Sequence, residues 1–271
     1  MKKMLMLCCL MAAGHLQAQE LYVFTEPASN MPARSLGVKQ SAKLIRSNPL
    51  NRNESRHTTE LMLGANRNLM LHGAVTFSDM YTSSTRFESV RAYAKYRFYT
   101  SDGMYSHFRL AAFAEAAHSR NPGAFDEISL EGDQSGAQVG LIATQLLHKL
   151  ALSTSISYTE VLGQGRWDKA FPQTRPYKAF NYSLSGGYLI LPRKYTSYGQ
   201  TNFNVYVELL GQQTTDLKKY ALDLAPAAQL IFNSQAKLNL GYRFQLDGNM
   251  NRMANRSWLL SFEWLFLNVL K

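Results

Sequence analysis

Charged residues alternate with apolar residues in several segments of the chain. This spacing could place the charges together on one surface that binds or conducts solutes. In residues 89–99, Arg91, Lys95 and Arg97 alternate with small apolar residues and with Tyr96. An alternation with a period of two predicts a β-strand with one charged face and one apolar face. Nearby strands with the same pattern would bring their charges onto one shared polar surface.

The candidates for this shared surface are the charged residues that the alternation assigns to the polar faces of the strands. They are Arg91, Lys95, Arg97, Arg109, Glu115, Glu208, Lys237, Arg243 and Glu263. Such charges could line a path for small polar or anionic solutes, because cations along a confined path lower the cost of anion entry. They could equally form a charge network that fills the interior, with each arginine neutralised by a glutamate. We keep both hypotheses, and we expect Arg91, Arg97 and Arg109 to form a ladder beside Glu115.

The strands that must position these residues follow one another through residues 36–271. About twelve segments of alternating hydrophobicity are separated by connections that are short and long in turn. Short connections on one side and longer ones on the other are typical of bacterial membrane barrels. The pattern therefore predicts an all-β fold, a transmembrane antiparallel up-and-down β-barrel whose apolar faces touch lipid. A soluble sandwich with apolar faces against a second sheet is the alternative.

The first residues of the chain predict export. Lys2 and Lys3 precede a short apolar run, and Ala18 offers a small residue for cleavage, so residues 1–18 are interpreted as a signal peptide. Both cysteines, Cys8 and Cys9, lie within this segment. The mature chain is then free of cysteine, which excludes disulfides and thiolate metal ligands.

Residues 19–35 precede the first strand and lack a clear period. Pro27 and Pro32 interrupt the segment. We interpret it as an N-terminal periplasmic segment, either free in the periplasm or placed in the mouth of the barrel. A disordered tail is the alternative.

The charge of the chain restricts its partners. The formal net charge is +10, and removal of Lys2 and Lys3 leaves about +8 (10 − 2). A basic balance suits nucleic acid, anionic headgroups or an anion-attracting pore, and export argues against nucleic acid. We expect contact with outer-membrane lipid and lipopolysaccharide, and a small polar or anionic solute. A protein partner cannot be named from the sequence.

One long connection, residues 162–178, combines basic and aromatic residues. They are Arg166, Trp167, Lys169, Phe171 and Arg175. This combination suits contact with carbohydrate or lipopolysaccharide, or a loop that folds inward as a constriction. A solvated surface loop is the simpler interpretation.

Catalytic and cofactor motifs are not recognised. The histidines lack the spacing of a metal site, and no glycine-rich phosphate loop is present, so we expect no cofactor and no bound metal. Enzymatic activity is not expected. A hydrolytic site at the outer rim would need His118 with Asp126, Glu127, Glu131 or Asp133.

The final segment, SWLLSFEWLFLNVLK, resembles the aromatic-rich terminal strand of bacterial outer-membrane β-barrels, which the barrel assembly machinery reads. It differs in ending on Lys271. The stretch YVFTEPASNMPARSLGV is similar to a little-characterised barrel family of Bacteroidetes-type bacteria, sometimes found beside metal-efflux components. No metal-binding residue is implied by that resemblance.

The resemblance implies a multi-pass barrel in the outer membrane of a Gram-negative bacterium. The leading functional hypothesis is a porin-like passive channel. The alternative is a plugged structural barrel that docks a partner such as an efflux system, and an outer-leaflet hydrolase is the third hypothesis.

Overall fold

The computed structural model describes residues 22–162, 175–193 and 199–270. Within these residues no helix is long and apolar enough to cross a bilayer. The regular structure of the described chain consists of twelve strands. They are β1 (Ser35–Arg46), β2 (Asn53–Gly64), β3 (Leu69–Ser78), β4 (Arg86–Asp102), β5 (Ser106–Ser119), β6 (Gly136–Leu147), β7 (Leu150–Val161), β8 (Lys178–Leu191), β9 (Asn202–Thr214), β10 (Tyr220–Phe232), β11 (Ala236–Gly248) and β12 (Arg256–Phe266).

The strands form a closed barrel in which each strand pairs antiparallel with its neighbours in sequence. The barrel closes where β1 meets β12, with Ser41 opposite Ser261. Closure leaves no unpaired sheet edge, which hydrocarbon could not tolerate. The predicted all-β, up-and-down barrel of about twelve strands is therefore confirmed.

The two ends of the barrel carry different connections. We call the end that holds residues 65–68, 103–105, 148–149, 192–201 and 233–235 the turn end, and the opposite end the loop end. The predicted separation of short from long connections is present, apart from the longer connection at 192–201. Asn233 and Ser234 have φ of 50° and 57°, as a tight type I′ hairpin turn requires.

The two faces of the barrel wall have opposite character. On β12, Trp258 and Leu260 are 50% and 49% exposed on the outside. The alternate residues of the strand face inward, and Ser261 and Glu263 are each 2% exposed. An apolar outside and a polar inside are what a barrel in lipid needs, and they exclude the sandwich, whose apolar faces would be buried.

The interior of the barrel is not empty. Residues 22–34, which we call the plug, lie inside the lumen before the chain enters β1. Residues 120–135, which connect β5 to β6 and which we call the inward loop, enter from the loop end. The predicted signal peptide, residues 1–18, lies outside the described residues.

Candidate functional site

The plug crosses the lumen from β2 to β11. At its C-terminal end it passes so close to Gly64 that a Cβ there would lie 2.1 Å from the carbonyl oxygen of Pro32. At its other end Phe24 lies against Gly241, where a Cβ would meet the ring at 2.5 Å. Glycine at these two positions leaves the space that the plug occupies.

Glu208 on β9 is the main anchor of the plug. Its carboxylate accepts hydrogen bonds of 2.9 Å from three consecutive main-chain N–H groups, those of Val23, Phe24 and Thr25. The hydroxyl of Thr25 donates a fourth bond of 2.6 Å. The side chain of Glu208 is fully buried, so these donors replace the water that the carboxylate would otherwise bind.

A second set of contacts holds the middle of the plug. Lys95 Nζ donates to Glu26 Oε2 at 2.9 Å and to the carbonyl oxygens of Pro27 and Ser29 at 2.8 and 3.0 Å. Arg109 donates to the Ser29 hydroxyl at 2.8 Å. The main chain of the plug is therefore satisfied by side chains of the wall rather than by strand pairing.

Apolar contacts complete the seat of the plug. Tyr22 and Val23 pack with Ala151 and Tyr206, and the rings of Tyr22 and Tyr206 meet edge to face at 5.5 Å. A separate cluster near the turn end is built from sulfur and aliphatic side chains. Its members are Met31, Met62, Met70 and Leu265.

The inward loop is held at its tip by the wall of the opposite side. The main chain of Ile128 donates to Gln212 Oε1 at 2.8 Å and accepts from Gln212 Nε2 at 2.7 Å. Asp126 binds Lys219 at 2.6 Å and accepts the N–H of Asn251 at 2.7 Å. The loop thus bridges to β9 and to the two connections that flank β10 and β11.

Two arginines and two carboxylates form the strongest charge cluster of the inward loop. Arg252 binds Glu127 at 2.8 Å and Asp223 at 2.7 Å, and Arg243 binds Glu127 at 2.8 Å as well as Asp223. Burial raises the pKa of Glu127, but the charges of Arg243 and Arg252 more than offset it and the pKa is lowered overall. We call these four residues the arginine cluster.

A second ion pair fixes the base of the loop. Arg56 on β2 binds Glu88 at 2.7 Å and Asp133 at 2.7 Å, and both Arg56 and Glu88 are nearly inaccessible to solvent. The hydroxyl of Tyr81 donates to the same Asp133 at 3.0 Å. The loop therefore ends on the wall through charge-assisted hydrogen bonds.

A cavity of about 370 Å³ lies between the plug and the inward loop. We call it the chamber. The plug contributes Val23, Phe24, Thr25 and Glu26 to its lining, and the inward loop contributes residues 127–131. The volume is within the range of pockets that hold small molecules.

The chamber has a charged side and a neutral side. Strands β1, β2, β4, β5 and β11 supply its charged wall side chains, while β6–β9 contribute no charged side chain to the lining. The charged wall residues are Lys39, Lys43, Arg56, Glu60, Arg91, Glu115 and Arg243, and the uncharged polar ones are Gln138, Ser155, Ser157, Asn181, Ser183 and Gln212. With Glu26, Glu127 and Glu131 added, the lining holds five basic and five acidic residues.

The structure separates the three arginines that the sequence predicts to form a ladder. Arg91 lies at the chamber, 3.7 Å from both Glu60 and Glu115. Arg109 instead binds the plug, and Arg97 donates to the carbonyl oxygen of Arg67 in a turn at the turn end. The plug and the turn therefore occupy the side chains that a continuous ladder would need.

The other predicted interior residues fall into three places. Lys95 and Glu208 bind the plug, and Arg243 belongs to the arginine cluster. Lys237 and Glu263 form a buried pair at 2.8 Å between β11 and β12 and do not line the chamber. A role of these residues in solute passage stays a prediction.

Only Arg175 of the predicted outer-loop residues can be placed. It donates to the carbonyl oxygen of Pro122 at 2.7 Å and so joins the connection of β7 and β8 to the inward loop. Arg166, Trp167, Lys169 and Phe171 lie outside the described residues. His118 Nδ1 lies 3.5 Å from the Ser135 hydroxyl, whereas Asp126, Glu127, Glu131 and Asp133 each bind a cation.

One group of side chains has the donor types of a metal site. Glu26, Glu60 and His72 each direct a ligand atom toward the others, and these atoms lie within 4.8 Å of one another. Sequence reasoning missed this group because its members are far apart in the chain and no regular spacing connects them. The register of β2 and β3 and the path of the plug bring them together.

No protein-family model matches the chain, and no curated protein sequence matches it. Solved structures with the same fold are found. An outer membrane channel from Pseudomonas putida F1 is 13% identical, with a TM-score of 0.59 over 90% of this chain and 100% of that one. The KdgM porin is 10% identical, with a TM-score of 0.52 over 85% and 99%.

The NanC porin is similar in fold, with a TM-score of 0.52, 11% identity, and coverage of 84% of this chain and 98% of that one. Identities this low show the fold alone, and the resemblance to a Bacteroidetes-type family stays a prediction. The chain therefore has the fold of outer-membrane channel barrels, and its apolar outer face places it in the outer membrane.

Proposed function

We propose that the protein is an outer-membrane channel for small polar solutes, closed in this state by the plug and the inward loop. The observation that carries the proposal is the chamber. A barrel that served only as a scaffold would have its lumen filled by side chains, yet here about 370 Å³ remain between two segments that are not strands of the wall. Displacement of both segments would join the chamber to the two sides of the membrane.

The lining supports neutral or dipolar solutes better than simple anions. The excess of basic residues in the chain is not repeated at the chamber, where five basic and five acidic residues face the same space. Arg91 also shares its charge between Glu60 and Glu115. The opposite wall offers hydroxyl and amide groups, which bind solutes by hydrogen bonds and not by net charge.

A reversible cross-link between the plug and the wall tests the proposal. The N–H of Ala28 donates to Thr144 Oγ1 at 2.8 Å, so cysteines at these positions are within reach of a disulfide. The variant A28C/T144C is reconstituted into planar bilayers, oxidised and then reduced. We expect openings of a small conductance after reduction and their loss after oxidation.

The single variant A28C, taken through the same cycle, is the matched control and should conduct equally before and after reduction. The channel would be contradicted if neither the wild-type protein nor the reduced double variant conducts, even under applied voltage. Both would also have to fail to pass low-molecular-weight sugars in a swelling assay. The permanently plugged barrel that docks a partner would then be the better description.

A further inference from the structure

Three side chains from three separate segments meet in the lining of the chamber. Glu26 belongs to the plug, Glu60 to β2 and His72 to β3. His72 Nδ1 lies 2.6 Å from Glu60 Oε1 and 3.5 Å from Glu26 Oε1. The imidazole is therefore placed between two carboxylates, one on the wall and one on the plug.

Two carboxylate oxygens and one imidazole nitrogen are donors that first-row divalent cations accept. Zn²⁺ binds such donors at about 2.0–2.2 Å, and three protein ligands commonly leave one position for water or a solute. The remaining position would open into the chamber, which all three residues line. Closing the donors onto an ion requires a shift of about 1 Å, given those bond lengths. The side chain of Glu26, which is 36% exposed, can make that shift.

The surroundings hold the donors in orientation. The His72 ring contacts Tyr93 at a centroid distance of 5.0 Å, and Tyr93 stacks on Phe113 at 5.5 Å. Lys95 binds the second oxygen of Glu26, and Arg91 approaches the second oxygen of Glu60. The Oε1 atoms are thereby directed at His72, and preorganised ligands of this kind are a requirement for a metal site.

The same two cations limit the affinity. Lys95 and Arg91 neutralise part of the carboxylate charge, and Lys39 faces Glu60 across the β1–β2 pair. We therefore expect micromolar binding, weaker than in a permanent structural zinc site. The ion would replace the hydrogen bond between His72 and Glu60, and the imidazole would bind it as the Nε2–H tautomer.

We propose that Glu26, Glu60 and His72 form a binding site for a first-row divalent cation such as Zn²⁺, which ties the plug to the barrel wall. Because one ligand comes from the plug and two from the wall, an ion bound to all three stabilises the closed lumen. The binding itself is independent of transport. Its effect on the plug rests on the proposed channel function.

The direct test is titration of tag-free, chelator-treated protein in detergent with ZnCl₂, followed by calorimetry. Wild type should bind one equivalent, and E60Q and H72Q should bind at least about tenfold more weakly, because lost outer-shell partners alone cost that much. H107Q is the matched control. His107 is also paired with a carboxylate, Asp102 at 2.8 Å, but lies at the turn end, so its loss should leave the affinity unchanged.

A spectroscopic measurement avoids dependence on the variants. Co²⁺ added to the wild-type protein should give a visible absorption band that is displaced by one equivalent of Zn²⁺. Absence of saturable Zn²⁺ binding, or binding that persists in E60Q/H72Q, would overturn the site. Binding by MgCl₂ with equal affinity would overturn the assigned ion class, since the imidazole ligand disfavours Mg²⁺.

The link to the plug is tested with E26Q. In wild type, Zn²⁺ should protect the plug from added protease and lower the frequency of channel openings. In E26Q, Glu60 and His72 retain weaker binding, but the protection should be lost. Zn²⁺ that binds and protects the plug of a protein without conductance would uphold the site and reject the channel. Equal protection in wild type and E26Q would reject the tie.

Discussion

The plug and the inward loop close the same lumen from opposite ends, and the contacts that hold them differ in their balance of main-chain and charged groups. The plug is held through its own main chain, whose N–H groups donate to Glu208 and whose carbonyl oxygens accept from Lys95. The inward loop is held through carboxylates, since Glu127 and Asp133 bind arginines of the wall and of the last connection.

This difference determines which segment can leave at lower cost. Removing one partner from a buried ion pair leaves an uncompensated charge, which typically costs about 3–5 kcal/mol. Main-chain groups of the plug would find water in a flooded lumen, so each of their hydrogen bonds has a net value of about 0.5–1.5 kcal/mol, and about 1.5–3 kcal/mol where a charge is involved. Contact for contact, the plug is therefore held by interactions that are lost at lower cost.

A substitution in the arginine cluster is expected to have the largest effect on the stability of the closed loop. R252A removes the guanidinium that joins Glu127 to Asp223 and leaves two carboxylates on Arg243 alone. We expect a loss of about 3–5 kcal/mol in the stability of the closed loop, seen as rapid proteinase K cleavage within residues 120–135. R256A, at an exposed arginine four residues away, should leave the cleavage rate unchanged.

E208Q tests the plug in the same way. The amide retains one acceptor oxygen but places an NH₂ group either against the N–H groups of Val23 and Phe24 or against that of Thr25. A loss of about 2 kcal/mol corresponds to roughly a 30-fold rise in the population with a released plug. Single-channel open probability measures it, with E160Q in an exposed ion pair as the control.

If E208Q leaves the open probability unchanged while R252A raises it, the plug does not limit opening and the inward loop alone keeps the lumen closed. The double variant E208Q/R252A tests whether the plug and the inward loop open independently. Effects that multiply would indicate that the segments open independently, because contacts without shared partners contribute additively to free energy.

The alternation of apolar and polar residues was sufficient to predict the wall of the barrel but not its contents. Polar and apolar residues alternate along much of residues 150–161, and β7 has these same bounds, since a period of two is enforced by lipid on one side. The last strand ends at Phe266, although the apolar residues continue to Leu270. Asn268 has φ of 55°, which is incompatible with a strand, although the residues around it are apolar.

The site depends on contacts that no periodicity reports. Glu208 was predicted to face inward, but its partners are 183 to 185 residues away in the chain. Arg252 lies in a connection, and its position depends on how that connection folds. Neither Arg252 nor its contact with Asp223 on β10 was therefore predicted. The plug itself lacks a period, since its main chain before Arg34 bonds to side chains, and the Arg34 N–H at its end donates to the carbonyl oxygen of Gly64 on β2.

Acid should affect the inward loop only at low pH. The charge of Lys43, 3.6 Å away, lowers the pKa of Glu131 to about 2, and the pKa of Glu127 is lowered as well. A carboxyl group with a lowered pKa in the folded state contributes stability above its ordinary pKa and loses it as the pH falls through the folded value. Pepsin cleavage within residues 120–135, relative to pepsin cleavage of a denatured substrate at the same pH, should therefore be slow at pH 4.5 and increase toward pH 2. E131Q should flatten part of this dependence, and an increase already complete at pH 4.5 would show that neither carboxylate has a lowered pKa.

The smallest effect is expected where the inward loop meets the neighbouring connection. Arg175 donates to the carbonyl oxygen of Pro122 at the exposed rim, where water can replace the guanidinium. R175A should therefore destabilise the closed loop by about 0.5 kcal/mol or less, which amounts to about a twofold faster cleavage within residues 120–135. An effect as large as that of R252A would mean that the rim, and not the arginine cluster, holds the loop in the lumen. The contrast between a loop held by buried charge and a plug held by its main chain would then lose its basis.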